Sequence, residues 1–328
     1  MPTTVAVVLA GGRGTRLYPA STADTPKQFR AFGGADSLLA RTVDRARAVA
    51  DETYVLTREA YADRIHEHAP DVGVLVEPDP KDTGPALVYA AHRIREQVDD
   101  AVLLCLPSDH HVGSGYRETF ARTCDVAHET GGLVTLGIDP TRAATGYGYI
   151  EPGEQFDGYA TVASFTEKPD AAVAERYRDQ GYFWNAGIFA WTPDALLDAA
   201  SGGELAGFVD ALDDPEAAFD AVDPISVDYA VLEGAEDVYV VPAGFDWDDL
   251  GSWDALERVL GRDGDGNARL GETLALDAEN CVLAAGEGQH VSAVGVSDLV
   301  VAAYDGRVLV VPKRDAQRVR SVVDALED

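Results

Sequence analysis

Residues 9–29 read LAGGRGTRLYPASTADTPKQF and combine the parts of an anion site. Gly11, Gly12 and Gly14 permit a tight backbone whose successive N–H groups point at one spot, where side chains would block an approaching phosphate. Arg16 and Lys27 bring two cations to the same neighbourhood, and Pro19 and Pro26 stiffen the segment that carries them. The chemistry this serves is the binding of a phosphate-rich ligand. Glycines after a first strand also read as a plain strand-to-helix turn, and the glycines alone do not separate the two. The loop is not a P-loop, since no Gly-Lys-Ser/Thr follows, and Leu17 stands where a dinucleotide fingerprint has its third glycine.

Two carboxylates stand out further on. Asp109, in PSDHH, follows an apolar run, and Asp249, in WDDLGSW, precedes a helix. Two aspartates converging from distant loops suit Mg²⁺, which prefers oxygen donors and completes its shell with phosphate and water. Each aspartate alone also reads as a helix cap or turn residue, and Asp248 and Asp254 are assigned to that role. His110 and His111 are adjacent with no spaced partner and read as loop residues. Lys168, in FTEKPD, sits before a proline that constrains its backbone, and Glu167 beside it can accept hydrogen bonds from sugar hydroxyls. Asn185, in FWNAG, can both donate and accept. Tyr147 and Tyr149 alternate with Gly146 and Gly148, a pattern that admits a sugar close to the backbone or plain core packing. Trp184 and Trp191 read as core. No Ser/His/Asp or Cys/His arrangement calls for a covalent intermediate.

These residues need a scaffold, and the hydrophobic pattern supplies one. Apolar runs at residues 5–9, 54–56, 72–76, 101–106 and 133–138 alternate with helical patterns at about 37–51, 59–69, 85–98 and 116–129. Strands that are apolar throughout and alternate with amphipathic helices mean an α/β fold with a mainly parallel sheet covered on both faces. Ligands of such sheets bind beyond the C-terminal strand ends, where the glycine loop, Glu77-Pro78 and Pro107-Ser108-Asp109 all lie. The GRDGDGN break at 261–267 predicts a boundary, with residues 1–262 as one domain and 263–328 as a second. The second is β-rich, with short alternating runs, and closes on a helix over 315–326.

Composition narrows the partners. The chain of 328 residues carries a net charge of -31, which repels nucleic acid, and 46% hydrophobic residues, which excludes a disordered chain. No apolar run is long enough for a membrane span and no signal peptide is recognisable, so a cytoplasmic protein is expected. Cys105, Cys124 and Cys281 form no CxxC pair, which suits reduced thiols. The acid is spread along the whole chain and reads as a surface adapted to high salt, against the alternative of an ordinary acidic enzyme. Lysine occurs only at Lys27, Lys81, Lys168 and Lys313, so a compact ammonium is retained where the motifs lie.

Taken together, LAGGRGTRLYP, PKQF, EPDPKDTGPA, PSDH, GYGYIE, FTEKPD, FWNAGIF, PISVDYAVLE, WDDLGSW and SDLVVAAYDGRVLVV make the chain similar to the sugar-1-phosphate nucleotidyltransferases. The ending PKQF points within them to the mannose-1-phosphate guanylyltransferase branch. The resemblance implies a Rossmann-like nucleotidyltransferase domain followed by a short left-handed β-helix. It implies GTP and mannose 1-phosphate as substrates, Mg²⁺ as cofactor, and neither nucleic acid nor membrane as partner. The β-rich tail is the expected contact of a homodimer. Carried over residue by residue, Asp109 and Asp249 match the metal-binding aspartates, while Arg16 and Lys27 match the catalytic cations on the triphosphate. Leu9, Ala10, Gly11, Gly12, Gly14, Thr15, Lys27, Asp82, Pro107 and Ser108 fall on the nucleotide side. Gly146, Tyr147, Glu167, Lys168 and Asn185 fall on the sugar-phosphate side. Such a transfer needs no general base, because a sugar phosphate is already an anionic nucleophile; it needs charge neutralisation and in-line alignment. Two departures bear on selectivity: the family's Asn-Thr-Ala-Pro is Asp82-Thr83-Gly84-Pro85, and its Asn-Ser-Gly is Asn185-Ala186-Gly187. The extra isomerase domain that some longer relatives carry is not expected. The same chemistry on another sugar or nucleotide, a non-catalytic regulatory relative, and a nucleotide-sugar glycosyltransferase are the competing readings.

Overall fold

In the computed structural model, which describes residues 2–327, the first apolar run is β1 (Thr3–Leu9), and Val5, Ala6, Val7 and Val8 are completely buried. It lies between β2 (Glu52–Arg58) and β4 (Ala101–Pro107), with β3 (Gly73–Glu77) outside β2, all four parallel. After the short β5 (His111–Val112) come β6 (Leu133–Ile138), β7 (Tyr149–Phe156), β8 (Tyr159–Thr166), β9 (Phe183–Trp191), β10 (Val238–Ala243) and the short β11 (Trp247–Asp248). The nine-stranded sheet runs β3-β2-β1-β4-β9-β6-β10-β8-β7. The parallel run stops at β9, which enters antiparallel to both β4 and β6, and the β7–β8 hairpin continues antiparallel at the far edge. Apolar side chains alternating along β9 face both sides of the sheet, and Trp191 is fully buried.

The helices are α1 (Leu38–Arg47), α2 (Glu59–His68), α3 (Thr83–Arg95), α4 (Tyr116–Thr130), α5 (Ala171–Asp179), α6 (Pro193–Ser201), α7 (Ala206–Asp210), α8 (Pro215–Ala221), α9 (Trp253–Leu260) and α10 (Val319–Glu327). Local chemistry sets several starts. Ser37 Oγ accepts from Ala40 N ahead of α1. Asp170 accepts from Val173 N at α5, and Thr192 accepts from Ala195 N at α6, where Pro193 fills the first helical position. α1 stops four residues short of the expected end, in a turn closed by Ala50 N donating to Ala46 O.

Packing resolves the chain into two compact units. The first takes the residues up to Gly11, with 42–107 and 112–247, and its core joins Leu103, Trp191, Phe208 and Phe219. The second takes residues 12–41, 108–111 and those from Asp248 onward. Within it, β12 (Ala268–Leu270), β14 (Val282–Ala285) and β16 (Leu299–Tyr304) stack in parallel, closed by the antiparallel β17 (Arg307–Pro312). A second parallel pair, β13 (Thr273–Leu276) and β15 (Val291–Val294), completes the coil of a β-helix. Asn267, 1% exposed, turns an inner corner, its Nδ2 donating to Ala278 O and its Oδ1 accepting from Cys281 N.

The coil is not an isolated appendage within this unit. Leu17, Ala20, Phe32 and Leu38 share one buried cluster with Trp253, Val282 and Val300, and Trp253 Nε1 donates to Tyr18 O at 3.0 Å. The segment that carries the arginine and lysine of the glycine loop is therefore seated on the β-helix and α9.

Candidate active site

In the second unit the loop is held by its own backbone. Gly14, at φ 61°, starts a 3-10 turn over Thr15–Leu17 that leaves Arg16 exposed and Leu17 buried. Its carbonyl accepts from Ser21 Oγ, and Gln28 Nε2 donates to Gly12 O at 3.1 Å. A second 3-10 turn, Lys27–Phe29, buries Lys27 to 4% exposure. Its ammonium pairs with Asp109 Oδ2 at 2.7 Å and donates to the carbonyls of Asp249 at 2.9 Å and Leu250 at 3.0 Å. One lysine thus gathers the two aspartates that the sequence singled out, from positions 82 and 222 residues away.

The electrostatics follow from that contact. Burial pushes the Asp109 carboxyl up, but the Lys27 ammonium and His110 outweigh it and hold its pKa below the usual range. Asp249 is likewise pushed up by burial and pulled down further by Lys27, His110, the Gly251 N–H and Arg16. Asp248 turns away from this pair: Oδ1 accepts from Leu250 N and Oδ2 takes Arg258 Nε at 2.7 Å, the turn role assigned to it. Asp254 likewise serves its helix, pairing with Arg258. Asp109 and Asp249 are the donors suited to a hard cation, being ionised oxygens. Among the described residues no cluster of three His, Cys, Asp or Glu forms a closed ligand set, so a cation here would draw its remaining ligands from substrate phosphate and water.

Gly14 carries a testable constraint. A Cβ on it would stand 2.6 Å from Lys27 Cβ, at a φ that L residues adopt at a cost of about 1–2 kcal/mol. Gly14→Ala is expected to lower the unfolding midpoint and to displace Lys27, cutting activity by about 10²-fold or more. Gly12→Ala meets nothing within 4 Å and should leave the midpoint unchanged. Thermal melts of the two variants check this; equal midpoints would count against it.

In the first unit, β1 delivers Leu9 beside Pro107, and Ala10 is tied down by Leu56 O and Thr57 Oγ1. Ser108, which follows Pro107 in the chain, is buried. A Cβ on Gly11 would meet Glu77 Oε1 at 2.7 Å, so the glycine lets a buried carboxyl approach the loop. Burial pushes the Glu77 pKa up to about 7, with Asp79 and Asp82 adding to the rise and Arg58 opposing it. Asp82, at φ 69°, caps α3 by accepting from Thr83 N at 2.7 Å. The adjoining departure has a packing cause: a Cβ on Gly84 would stand 2.7 Å from Ile225 O, to which Gly84 N donates.

The sugar-side candidates form a second constellation in this unit. Lys168 has a left-handed φ of 45°, and its ammonium pairs with Glu167 Oε1. Burial opposes its charge, but Glu167, Tyr229 and Asp228 keep its pKa above the ordinary value. Asn185 is nearly saturated internally: Oδ1 accepts from Thr135 Oγ1 at 2.8 Å and Gly187 N at 3.1 Å, while Nδ2 donates to Asp228 Oδ1 at 2.8 Å. Glu167 Oε2 would lie 2.6 Å from a Cβ on Gly148, whereas Gly146 opens onto free space. Tyr147 lies edge-on to Trp184 and Trp247 and takes a hydrogen bond from Arg142. Tyr149, Trp184 and Trp191 are buried, and these three are core.

Three residues here were given no site role from sequence. His110 supports the charge of Asp109 and Asp249, and its only sequence signal was adjacency in PSDHH. Glu77 sat in EPDPKDTGPA and was read as a strand end. Asp228 opens a π-helical turn, Asp228–Leu232, a feature that tends to mark functional sites. Burial, then Glu167, push the Asp228 pKa up from 3.8 to about 6. A raised folded pKa means that ionisation costs stability as pH climbs from about 4 to 6, and the cost stands in full above that. Asp228→Asn removes the ionisable group and keeps an acceptor for Asn185. Its unfolding midpoint should therefore rise by about 2 °C or more at pH 8 and stay level at pH 4. Equal shifts at both pH values would count against the assignment.

A family model described as nucleotidyl transferase matches residues 5–264, and one described as a MannoseP isomerase/GMP-like beta-helix domain matches 271–326. The mannose-1-phosphate guanylyltransferase of Salmonella montevideo is 35% identical, with 98% of this chain and 73% of that protein covered. The alginate biosynthesis protein AlgA of Pseudomonas aeruginosa is 31% identical over 98% of this chain and 72% of its own length. The crystal structure of a protein from Thermus thermophilus, described as mannose-1-phosphate geranyltransferase, superposes with a TM-score of 0.92 at 38% identity, covering 99% of this chain and 100% of that one.

Proposed function

The chain belongs to the nucleotidyl transferase family, and from that membership we infer that it transfers GMP from GTP to α-D-mannose 1-phosphate, releasing GDP-mannose and pyrophosphate. The observation that carries the reading is the contact of Lys27 with Asp109 and with the Asp249 backbone, beside a glycine loop that displays Arg16. Likeness over 98% of this chain to mannose-1-phosphate guanylyltransferases supports the choice of sugar and base.

In this reaction a phosphate oxygen of the sugar phosphate attacks the α-phosphorus, and the bond from that phosphorus to the β-phosphate bridging oxygen breaks. Mg²⁺ held by Asp109 and Asp249 would neutralise charge on the phosphates. Arg16 and the N–H groups of residues 11–15 bind the triphosphate, and Lys27 keeps both aspartates ionised and in place. Lys168 holds the sugar phosphate, while Glu167 and Asp228 accept from sugar hydroxyls, with Asn185 orienting Asp228. Glu77 is a carboxyl of the kind that pairs with the N1–H and N2–H₂ edge of guanine, which supports GTP over ATP.

We place the catalytic work in residues 1–262 and treat 263–328 as a β-rich domain. None of the described helices is long and apolar enough to cross a membrane, and we propose a cytoplasmic enzyme with its three thiols free. Exposed Val308 and Val310 on β17 support a homodimer through the β-helix. The excess of 57 acidic over 26 basic residues supports activity at high salt.

Pyrophosphate release in concentrated KCl tests the reading, with four nucleoside triphosphates crossed against mannose and glucose 1-phosphates. Turnover should be highest for GTP with mannose 1-phosphate and should require Mg²⁺. Equal turnover with glucose 1-phosphate, or release of a nucleoside diphosphate instead, would overturn it.

A further inference from the structure

The glycine loop and the last helix line one recess. Arg13, Gly14, Thr15 and Arg16 form one side, and Arg320, Val323 and Asp324 of α10 form the other, around a volume of about 310 Å³. That is roughly ten water volumes. The helix is anchored by Val319, 2% exposed, in the cluster that also holds Leu17. Arg320 is thereby carried to the loop from the far end of the sequence.

The charge of the recess opposes that of the chain. The protein has 57 acidic residues against 26 lysines and arginines, yet here three guanidinium groups face one carboxylate. Arg13, Arg16 and Arg320 are all exposed, so a ligand can reach them. Guanidinium forks match phosphate oxygens two at a time, and like charges brought together at one recess are best explained by an anion of more than one charge. Gly14 presents no side chain toward the space.

We propose that Arg320 of α10 is a recognition residue for the terminal phosphates of the nucleoside triphosphate and for the pyrophosphate product, joining from the C-terminal helix the glycine loop to which the proposed reaction already assigns them. The proposal rests on the nucleotidyl-transfer reading for the identity of the anion, and it assigns the C-terminal helix a part in the phosphate chemistry. Asp324 gives it a sign. Its carboxylate opposes a bound anion, so changes at positions 320 and 324 act in opposite directions.

Titration calorimetry of inorganic pyrophosphate into the full-length protein, without sugar or nucleotide and at fixed salt, tests this directly. Arg320→Ala should weaken the dissociation constant by about tenfold or more. Asp324→Asn should tighten it by about twofold to threefold. Both side chains are exposed, and unchanged melting curves would exclude misfolding. In steady-state assays Arg320→Ala should raise KM for the nucleotide and leave KM for the sugar phosphate unchanged. No binding of pyrophosphate to the native protein, the same affinity for Arg320→Ala, or shifts of both variants in one direction would each overturn the proposal. A protein that binds pyrophosphate through Arg320 but makes no GDP-mannose would overturn the functional reading and leave the recess standing. One that makes GDP-mannose while Arg320→Ala binds pyrophosphate normally would do the reverse.

Discussion

Lys27→Met should lower kcat by about 10³-fold or more, a loss of roughly 4 kcal/mol in transition-state stabilisation. Methionine preserves most of the buried stem, so the change isolates the ammonium. Its removal takes from Asp109 its ammonium partner at 2.7 Å and from the carbonyls of Asp249 and Leu250 the Lys27 donor. Lys27 is buried but the Asp109 side chain is 33% exposed, so the stability lost should fall below the roughly 3–5 kcal/mol of a fully buried pair. The Asp109 pKa would then rise, because burial pushes it up and only His110 and a backbone hydrogen bond would remain to oppose that. Lys27→Arg should not rescue, since a planar guanidinium does not fit a slot where the native residue is 4% exposed. Pyrophosphate release measured beside thermal melts checks the prediction. Turnover within tenfold of the native value would show that Lys27 is a structural strut alone.

Asp249→Asn is expected to abolish most turnover at saturating Mg²⁺, by about 10²-fold to 10³-fold, while the fold survives. The backbone carbonyl that anchors Lys27 is retained, and the amide oxygen can still accept from Gly251 N. What is lost is the negative charge that a hard cation requires. A readout independent of turnover is Mn²⁺ binding, followed by water-proton relaxation: it should weaken in Asp249→Asn and in Asp109→Asn. The pH dependence has a definite sign. Both carboxylates have pKa values below the usual range, so Mn²⁺ binding to the native protein should persist through the ordinary aspartate range of about pH 3.9 and fail only at lower pH, as the two carboxylates protonate. Near-normal turnover in Asp249→Asn would remove the metal assignment.

Much of the scaffold could be read from local pattern. Runs such as residues 101–106 are apolar throughout, and only a strand buried on both faces accounts for that. The start of α1 lies where the helical pattern from about residue 37 put it, and Ser37 accepts from Ala40 N there. The direction of β9 could not be read, because FWNAGIFAW is equally apolar whether it runs parallel or antiparallel to β4. The same distinction holds at the site. Gly14, Asp109 and Asp249 could be singled out as candidates from the motifs that hold them, although each residue type alone also admits a cap or turn role. The contact of Lys27 with residues 109, 249 and 250 could not be read, since nothing in a local window encodes a partner 222 residues away. His110 looked like a loop residue because adjacent histidines lack metal spacing, and its effect on two carboxylates appears only in three dimensions. Asn185 read as a ligand contact; most of its capacity instead serves Thr135, Gly187 and Asp228.

The seating of residues 12–41 on the β-helix bears on how such proteins can be recombined. A crossover between two relatives placed at the glycine-rich break of 261–267 looks harmless in sequence. It would set Leu17, Ala20 and Phe32 of one parent against the coil interior of the other, at the cluster that also holds Val282 and Val300. The hydrogen bond from Trp253 to Tyr18 would survive such a crossover, because both lie before the break. The apolar fit would not. The heritable module is the cation-bearing loop together with its coil, two stretches separated by most of the chain that have to be exchanged as one.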